Sequence, residues 1–83
     1  MGMFAIDLAL TSGFIVADRN GELVGRVESP MYGTSPDEPD ALAVKSGVFS
    51  SRKLVPADAI DSIDGATGVI ELSVERESIR KFL

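Results

Sequence analysis

The sequence GFIVADRNGELVGRVE, residues 13–28, decides the fold that we predict for this chain. Two apolar segments, each alternating with polar residues, lie on either side of Asn20-Gly21, and period-two alternation is typical of β-strands. Asn-Gly supplies the positive φ angles that a tight hairpin turn needs. We therefore predict an antiparallel hairpin with strands at residues 13–18 and 22–28. Gly25 within the second strand indicates a bulge or a sharp bend.

Short strands with the same alternation follow along the rest of the chain. We predict them at residues 41–45, 53–55, 60–63 and 69–74. Leu42 and Val44 share one face of the first of these strands. Pro56 ends the second, because proline has no N–H to donate to a central ladder. The turn-rich residues 64–68 join the last two strands into a second hairpin.

Three further segments are less regular. Residues 29–40 (SPMYGTSPDEPD) contain three prolines and no basic residue, which predicts an exposed acidic loop. Ile79, Phe82 and Leu83 are three and four residues apart, which predicts one or two helical turns within residues 75–83. Alternating apolar residues near the N-terminus predict an extra strand within residues 1–12: Phe4, Ile6, Leu8 and Leu10.

Length and composition are those of a small globular protein. A chain of 83 residues holds one domain at most, so we assign residues 1–83 to a single all-β domain. No apolar run reaches the roughly 18 residues that a membrane-spanning helix needs. We therefore expect a cytoplasmic protein without a membrane span.

The residue types that carry most enzyme chemistry are missing. The chain has no cysteine and no histidine, which excludes disulfides, Cys/His zinc sites, thiol chemistry and histidine bases. Asp58, Asp61 and Asp64 recur every third residue and suggest a Mg²⁺ or Ca²⁺ site, but turn and surface roles explain them better. We predict no catalytic residues, no cofactor and no metal.

The charge balance limits the partners. A net charge of −5 argues against binding to DNA and against contact with RNA, because clustered Lys and Arg supply most of that affinity. Lys45, Arg52 and Lys53 form a small basic patch near Phe49. We interpret this patch as a solvated face or as one half of a pairing with an acidic neighbour.

Three segments in this order resemble the PRC-barrel family: NGELVGRV at residues 20–27, KLVPADAI at 53–60 and GVIEL at 68–72. The family is named for the photosynthetic reaction-centre H subunit and includes the C-terminal domain of a ribosome maturation factor. The resemblance implies a small antiparallel β-barrel of about five to six strands, and it implies no catalytic residues. The acidic, proline-rich segment 29–40 departs from the family pattern.

The resemblance implies a non-enzymatic protein–protein interaction module. The alternative is an accessory factor in RNA or ribosome metabolism that contacts a basic ribosomal protein. We expect a homodimer, because a small core and unpaired strand edges gain stability from a second copy. The candidate interaction residues are Phe4, Ile6, Leu8, Met31, Tyr32 and Phe49, although Met31 and Tyr32 could instead fold back over the barrel mouth.

Overall fold

The computed structural model describes residues 8–33, 39–46 and 51–81. Its strands are β1 (Ile15–Ala17), β2 (Leu23–Met31), β3 (Ala41–Ser46), β4 (Ser51–Pro56), β5 (Ile60–Asp64), β6 (Val69–Leu72) and β7 (Arg80–Lys81). Three short 3₁₀ helices lie at Leu8–Leu10, Ala57–Ala59 and Arg76–Ser78. The protein is therefore small and mostly β, as predicted. No helix in this described part has the length and apolar character that crossing a membrane requires.

The strands form one mixed sheet in the order β5-β6-β1-β2-β3-β4-β7. Neighbouring strands are antiparallel except β1 and β6, which run parallel with Ile15 opposite Val69. The structure thus differs from the fully antiparallel arrangement that we predicted. Parallel neighbours need a long crossover connection. The chain from β2 to β5 supplies this crossover, and alternation patterns within single strands do not reveal it.

The first hairpin is confirmed. Gly21 has a φ of 80°, and its N–H donates to the Asp18 carbonyl at 2.9 Å to close the turn. Val16 lies opposite Gly25 and Ala17 lies opposite Leu23, so one residue of β2 bulges beside Gly25. This is the irregularity that glycine within the strand predicted.

The segment after the hairpin is more regular than predicted. β2 continues through Met31, and Pro30 lies opposite Leu42. The predicted loop at residues 29–40 is therefore wrong at its first three positions. A second register shift lies between Val27 and Ser29, and prolines are tolerated in sheets near such bulges. Residues 34–38 lie outside the described residues.

The second hairpin, β5 and β6, is also confirmed. Its turn is closed by Asp64, whose Oδ1 accepts hydrogen bonds from the Ala66 and Thr67 N–H groups at 2.9 and 3.3 Å. Gly68 ends the turn with a φ of 70°. Asp64 therefore has the turn role that sequence analysis preferred over metal binding.

The two ends of the chain differ from prediction. Leu8–Leu10 is a 3₁₀ helix and not part of a strand, because the Leu8 carbonyl accepts both the Thr11 hydroxyl and the Thr11 N–H. The tail contains one 3₁₀ turn at Arg76–Ser78, as expected, but the chain then forms β7 against β4. Phe82 and Leu83 lie outside the described residues.

One apolar cluster forms the core. It contains residues of β1 to β6 together with Leu8, Ala59 and Ile79, and its fully buried members include Val16, Leu42, Val44, Val55 and Ile70. Leu42 and Val44 share the buried face, as predicted. Since β5, at one end of the sheet, and β4, next to the other end, both contribute to one cluster, the sheet curls around it. The other face of β2, β3 and β4 points away from this cluster, although Ala41 and Ala43 of β3 are buried there.

Candidate interaction surface

The outer face of β2, β3 and β4 carries the candidate site. Side chains alternate between the two faces of a strand, and Val44 and Val55 point into the core. Lys45 follows Val44 directly, and Arg52 is three residues before Val55. Both side chains therefore point outward, and the two residues lie directly opposite each other. Leu54 and Pro56 follow Arg52 on the same face of β4. We call this surface the outer face.

Three cationic residues lie side by side across the outer face. Arg26 of β2 is opposite Lys45 of β3, and Lys45 is opposite Arg52 of β4. Neighbouring strands are about 4.8 Å apart, so the three residues form a row about 10 Å long. We call Arg26, Lys45 and Arg52 the cation row.

One carboxylate compensates part of this charge. Arg52 donates two hydrogen bonds to Glu28, from Nε to Oε1 at 2.6 Å and from Nη2 to Oε2 at 3.1 Å. These bonds hold the pKa of Glu28 below its ordinary value, with help from the charges of Arg52 and Lys45, and they raise the pKa of Arg52. Both side chains are about one-third exposed, so the pair is a surface ion pair of small net stability.

Arg26 and Lys45 have no such partner. Arg26 Nη1 donates to the Gly13 carbonyl at 2.8 Å. None of the ion pairs between described residues includes Arg26 or Lys45. The cation row and Glu28 together carry three positive charges and one negative charge, a local excess of two on a protein whose net charge is −5.

The surroundings of the cation row are open and partly apolar. A shallow concavity of about 350 Å³ is lined by Arg26, Val27, Glu28 and Lys45. Farther along the outer face, Leu54 of β4 and Met31 of β2 are each 37% exposed, and the next residue, Tyr32, is 48% exposed. The outer face therefore combines accessible cations with accessible apolar side chains.

The predicted interaction residues separate into three groups. Met31 and Tyr32 are exposed and are not part of the apolar core. Leu8 differs from the prediction, because it is buried in the apolar core and has almost no exposed surface. Phe4, Ile6 and Phe49 lie outside the described residues.

The predicted basic patch is divided between two faces. Lys45 and Arg52 are on the outer face, whereas Lys53 alternates with Arg52 and lies on the other face, opposite Val44. Arg26, which completes the cation row, was missed. Its place depends on the register between β2 and β3, and no local pattern in the sequence specifies that register.

Asp18 has a structural role that was not predicted from the sequence. Its side chain is 2% exposed, and its two carboxylate oxygens accept N–H groups of Asn20, Glu22 and Arg76 at 2.8 to 2.9 Å. Burial alone would raise the pKa of Asp18, but these three bonds and the charge of Arg76 hold it below its ordinary value. Asp18 thus connects the first turn to the C-terminal 3₁₀ helix.

Asp18 belongs to a group of carboxylates that has a structural explanation. Oxygen atoms of Asp18, Glu22 and Glu77 lie within 4.8 Å of one another. Backbone N–H groups already occupy Asp18, and Arg76 Nε lies 3.5 Å from a carboxylate oxygen of each glutamate. Arg76 and the backbone donors therefore offset part of the negative charge of this group.

The β5–β6 hairpin is acidic. Residues 60–72 contain Asp61, Asp64 and Glu71 and no basic residue. Asp61 and Glu71 line a second concavity of about 410 Å³ together with Asp18, Arg19, Leu72 and Ser73. The sheet thus has a basic region on β2–β4 and an acidic region on β5–β6.

Comparison of the chain with models of known protein families gives no match. Comparison with curated proteins gives no match either. Function is therefore argued from the residues and surfaces of this chain.

Proposed function

We propose that this chain is a non-enzymatic protein–protein interaction module of the PRC-barrel type that acts in the cytoplasm. The observation that carries the proposal is the exposure of Met31, Tyr32 and Leu54 beside the cation row. Apolar side chains next to charged ones, on the face of a sheet that does not contact the core, are typical of surfaces that bind another protein.

The positions of the resembling segments support the PRC-barrel part of the proposal. Residues 20–27 lie in the turn and second strand of the first hairpin, 53–60 connect β4 to β5, and 68–72 include β6. The curled sheet around one core is compatible with a small barrel. The proposal includes closure of the sheet between its two ends, β5 and β7. Slow hydrogen exchange of the outward-facing β5 amides would support closure, and rapid exchange would contradict it.

We further propose that the apolar part of the outer face, at Met31, Tyr32 and Leu54, binds a second copy of the chain and leaves the cation row open to another partner. Light scattering coupled to gel filtration at micromolar concentration should give the mass of a dimer. Leu54→Glu should reduce it to that of a monomer, because a buried charge without a partner opposes association. Leu10→Glu is the matched control, since Leu10 is 72% exposed and lies in the first 3₁₀ helix.

A monomeric mass for the unmodified protein would refute the homodimer. The wider proposal would then depend on capture of another protein from the source cells by the immobilised chain, followed by mass spectrometry. Proteins retained by the unmodified chain and lost with Leu54→Glu would support the module. If the protein is monomeric and the two chains retain the same proteins, the proposal is wrong.

The acidic hairpin favours one second candidate, an accessory factor in RNA or ribosome metabolism that contacts a basic ribosomal protein. Asp61 and Glu71 would supply the complementary charge without direct contact with RNA. In the same capture experiment, ribosomal proteins retained by the unmodified chain and lost with Asp61→Asn and Glu71→Gln would support this candidate. Retention of ribosomal proteins by both chains equally would exclude it.

A further inference from the structure

We infer that the cation row binds an acidic, extended peptide segment of a protein partner. This inference rests on the proposed interaction function and adds the chemistry of the partner. The segment would lie across β2, β3 and β4, with carboxylates facing Arg26, Lys45 and Arg52.

Repulsion between the like charges of the cation row opposes folding. Like charges directly opposite each other on neighbouring strands are destabilising, and here two such pairs follow one another, Arg26 with Lys45 and Lys45 with Arg52. Glu28 offsets part of this repulsion, and a local excess of two positive charges remains. An anionic ligand would remove the repulsion.

Glu28 shows that a carboxylate fits the cation row. Its carboxylate already takes a bidentate bond from Arg52 across β3. Arg26 and Lys45 line the same concavity and form no ion pair with a described residue, although the charge of Lys45 acts on Glu28. Carboxylates from a partner would give these two residues the kind of contact that Arg52 already has.

The length of the cation row fits a short peptide segment better than a nucleic acid. Residues on one side of an extended peptide are about 6.8 Å apart, so two carboxylates of a strand-like segment reach across a row about 10 Å long. A nucleic acid needs a longer basic track, and the net charge of −5 repels a polyanion. An extended polypeptide can place two carboxylates at this spacing without the continuous charge of a nucleic acid.

The test uses nuclear magnetic resonance of the full ¹⁵N-labelled chain at low salt. The probe is a short synthetic peptide in which glutamates alternate with leucines, and the control peptide has glutamine in place of each glutamate. We expect the acidic peptide to shift the amide signals of Arg26, Lys45 and Arg52 and to lose affinity as salt is added. A single-stranded oligothymidine serves as the competing polyanion.

Variants separate a binding role from a purely structural one. Arg26→Gln combined with Lys45→Gln should weaken peptide binding about tenfold, since each exposed charge pair contributes a few-fold at most. Lys53→Gln removes the same charge from the other face of β4 and should change binding less than about twofold. Glu28→Gln removes the internal competitor and should strengthen binding, an effect that loss of a structural ion pair would not produce.

Each outcome has a clear meaning. Equal binding of the acidic and glutamine peptides or tighter binding of oligothymidine would overturn the inference. Equal effects of the Arg26→Gln/Lys45→Gln double variant and of Lys53→Gln would also overturn it. Shifts confined to Met31, Tyr32 and Leu54 would overturn it while leaving the proposed interaction function intact. The dimer measurement tests that function separately, because it requires no acidic peptide.

Discussion

Replacing Gly25 with alanine tests how closely β2 and β3 approach each other beside the cation row. A Cβ atom at position 25 would overlap the backbone carbonyl oxygen of Lys45 and would lie 2.8 Å from Val44 Cγ1. Carbon atoms in contact are normally about 3.5–4.0 Å apart. Because the main obstacle is backbone, β2 and β3 would have to separate by roughly an ångström in the ladder between Arg26 and Lys45.

The expected loss of stability follows from three contributions. Overpacking of this kind costs about 1–3 kcal/mol, and weakening one ladder hydrogen bond adds about 1 kcal/mol. Alanine also restricts the unfolded chain relative to glycine, which returns about 0.4–1 kcal/mol. The net destabilisation is therefore about 2 kcal/mol, which lowers the Tm of a domain of this size by roughly 8–16 °C.

Thermal unfolding followed by circular dichroism would measure this change. Gly33→Ala is the matched control, because its Cβ would meet only the Asp40 side chain, with Oδ2 at 2.5 Å, and a side-chain carboxylate can rotate away. We expect this control to change stability by less than about 0.5 kcal/mol. Equal Tm values for Gly25→Ala and the unmodified protein, or equal losses for the two variants, would refute the reasoning.

Two further predictions concern acid stability and the first 3₁₀ helix. Asp18, Glu28 and Asp64 each have a folded-state pKa below the ordinary value, so their contribution is complete at neutral pH and is lost as the pH falls below about 4.5 and through the folded values. The midpoint of urea unfolding should therefore fall between pH 6 and pH 3 more steeply in the unmodified protein than in Asp18→Asn, and parallel curves would contradict this. Leu8→Glu should unfold the domain because Leu8 is 7% exposed, whereas Leu10→Glu, at 72% exposure, should shift Tm little. Folded Leu8→Glu protein, judged by circular dichroism, would show that Leu8 is not part of the core.

The parts of the fold that could be predicted from sequence are those specified by neighbouring residues. Asn20-Gly21 specifies the first turn through backbone conformation, and the Asp64 turn specifies the second through side-chain hydrogen bonds. The alternation of Leu42 and Val44 identifies the face of β3 that joins the apolar cluster for the same reason, but it does not show that Ala41 and Ala43 are buried as well. Each of these signals lies within a few residues of the structure that it predicts.

The parts that were missed depend on residues far apart in the chain. The parallel pairing of β1 with β6, the Asp18 contact with Arg76 and the cation row all join separate segments. The N-terminal alternation was misleading for another reason. Leu8 and Leu10 have the same apolar character, but a 3₁₀ turn buries Leu8 and exposes Leu10, and period-two spacing does not distinguish this from a strand.

The parallel pairing of β1 and β6 has a consequence for the order in which the chain can fold during synthesis. β1 is near the N-terminal end of the chain, yet it lies between β2 and a strand that begins at Val69. On the ribosome, the first hairpin can form early, but one side of β1 must wait until residues 69–72 have emerged. Contacts of such large sequence separation slow folding. The nascent chain therefore carries an unpaired central strand edge from the synthesis of β1 until the synthesis of β6, and in this interval β1 is open to pairing with the wrong partner.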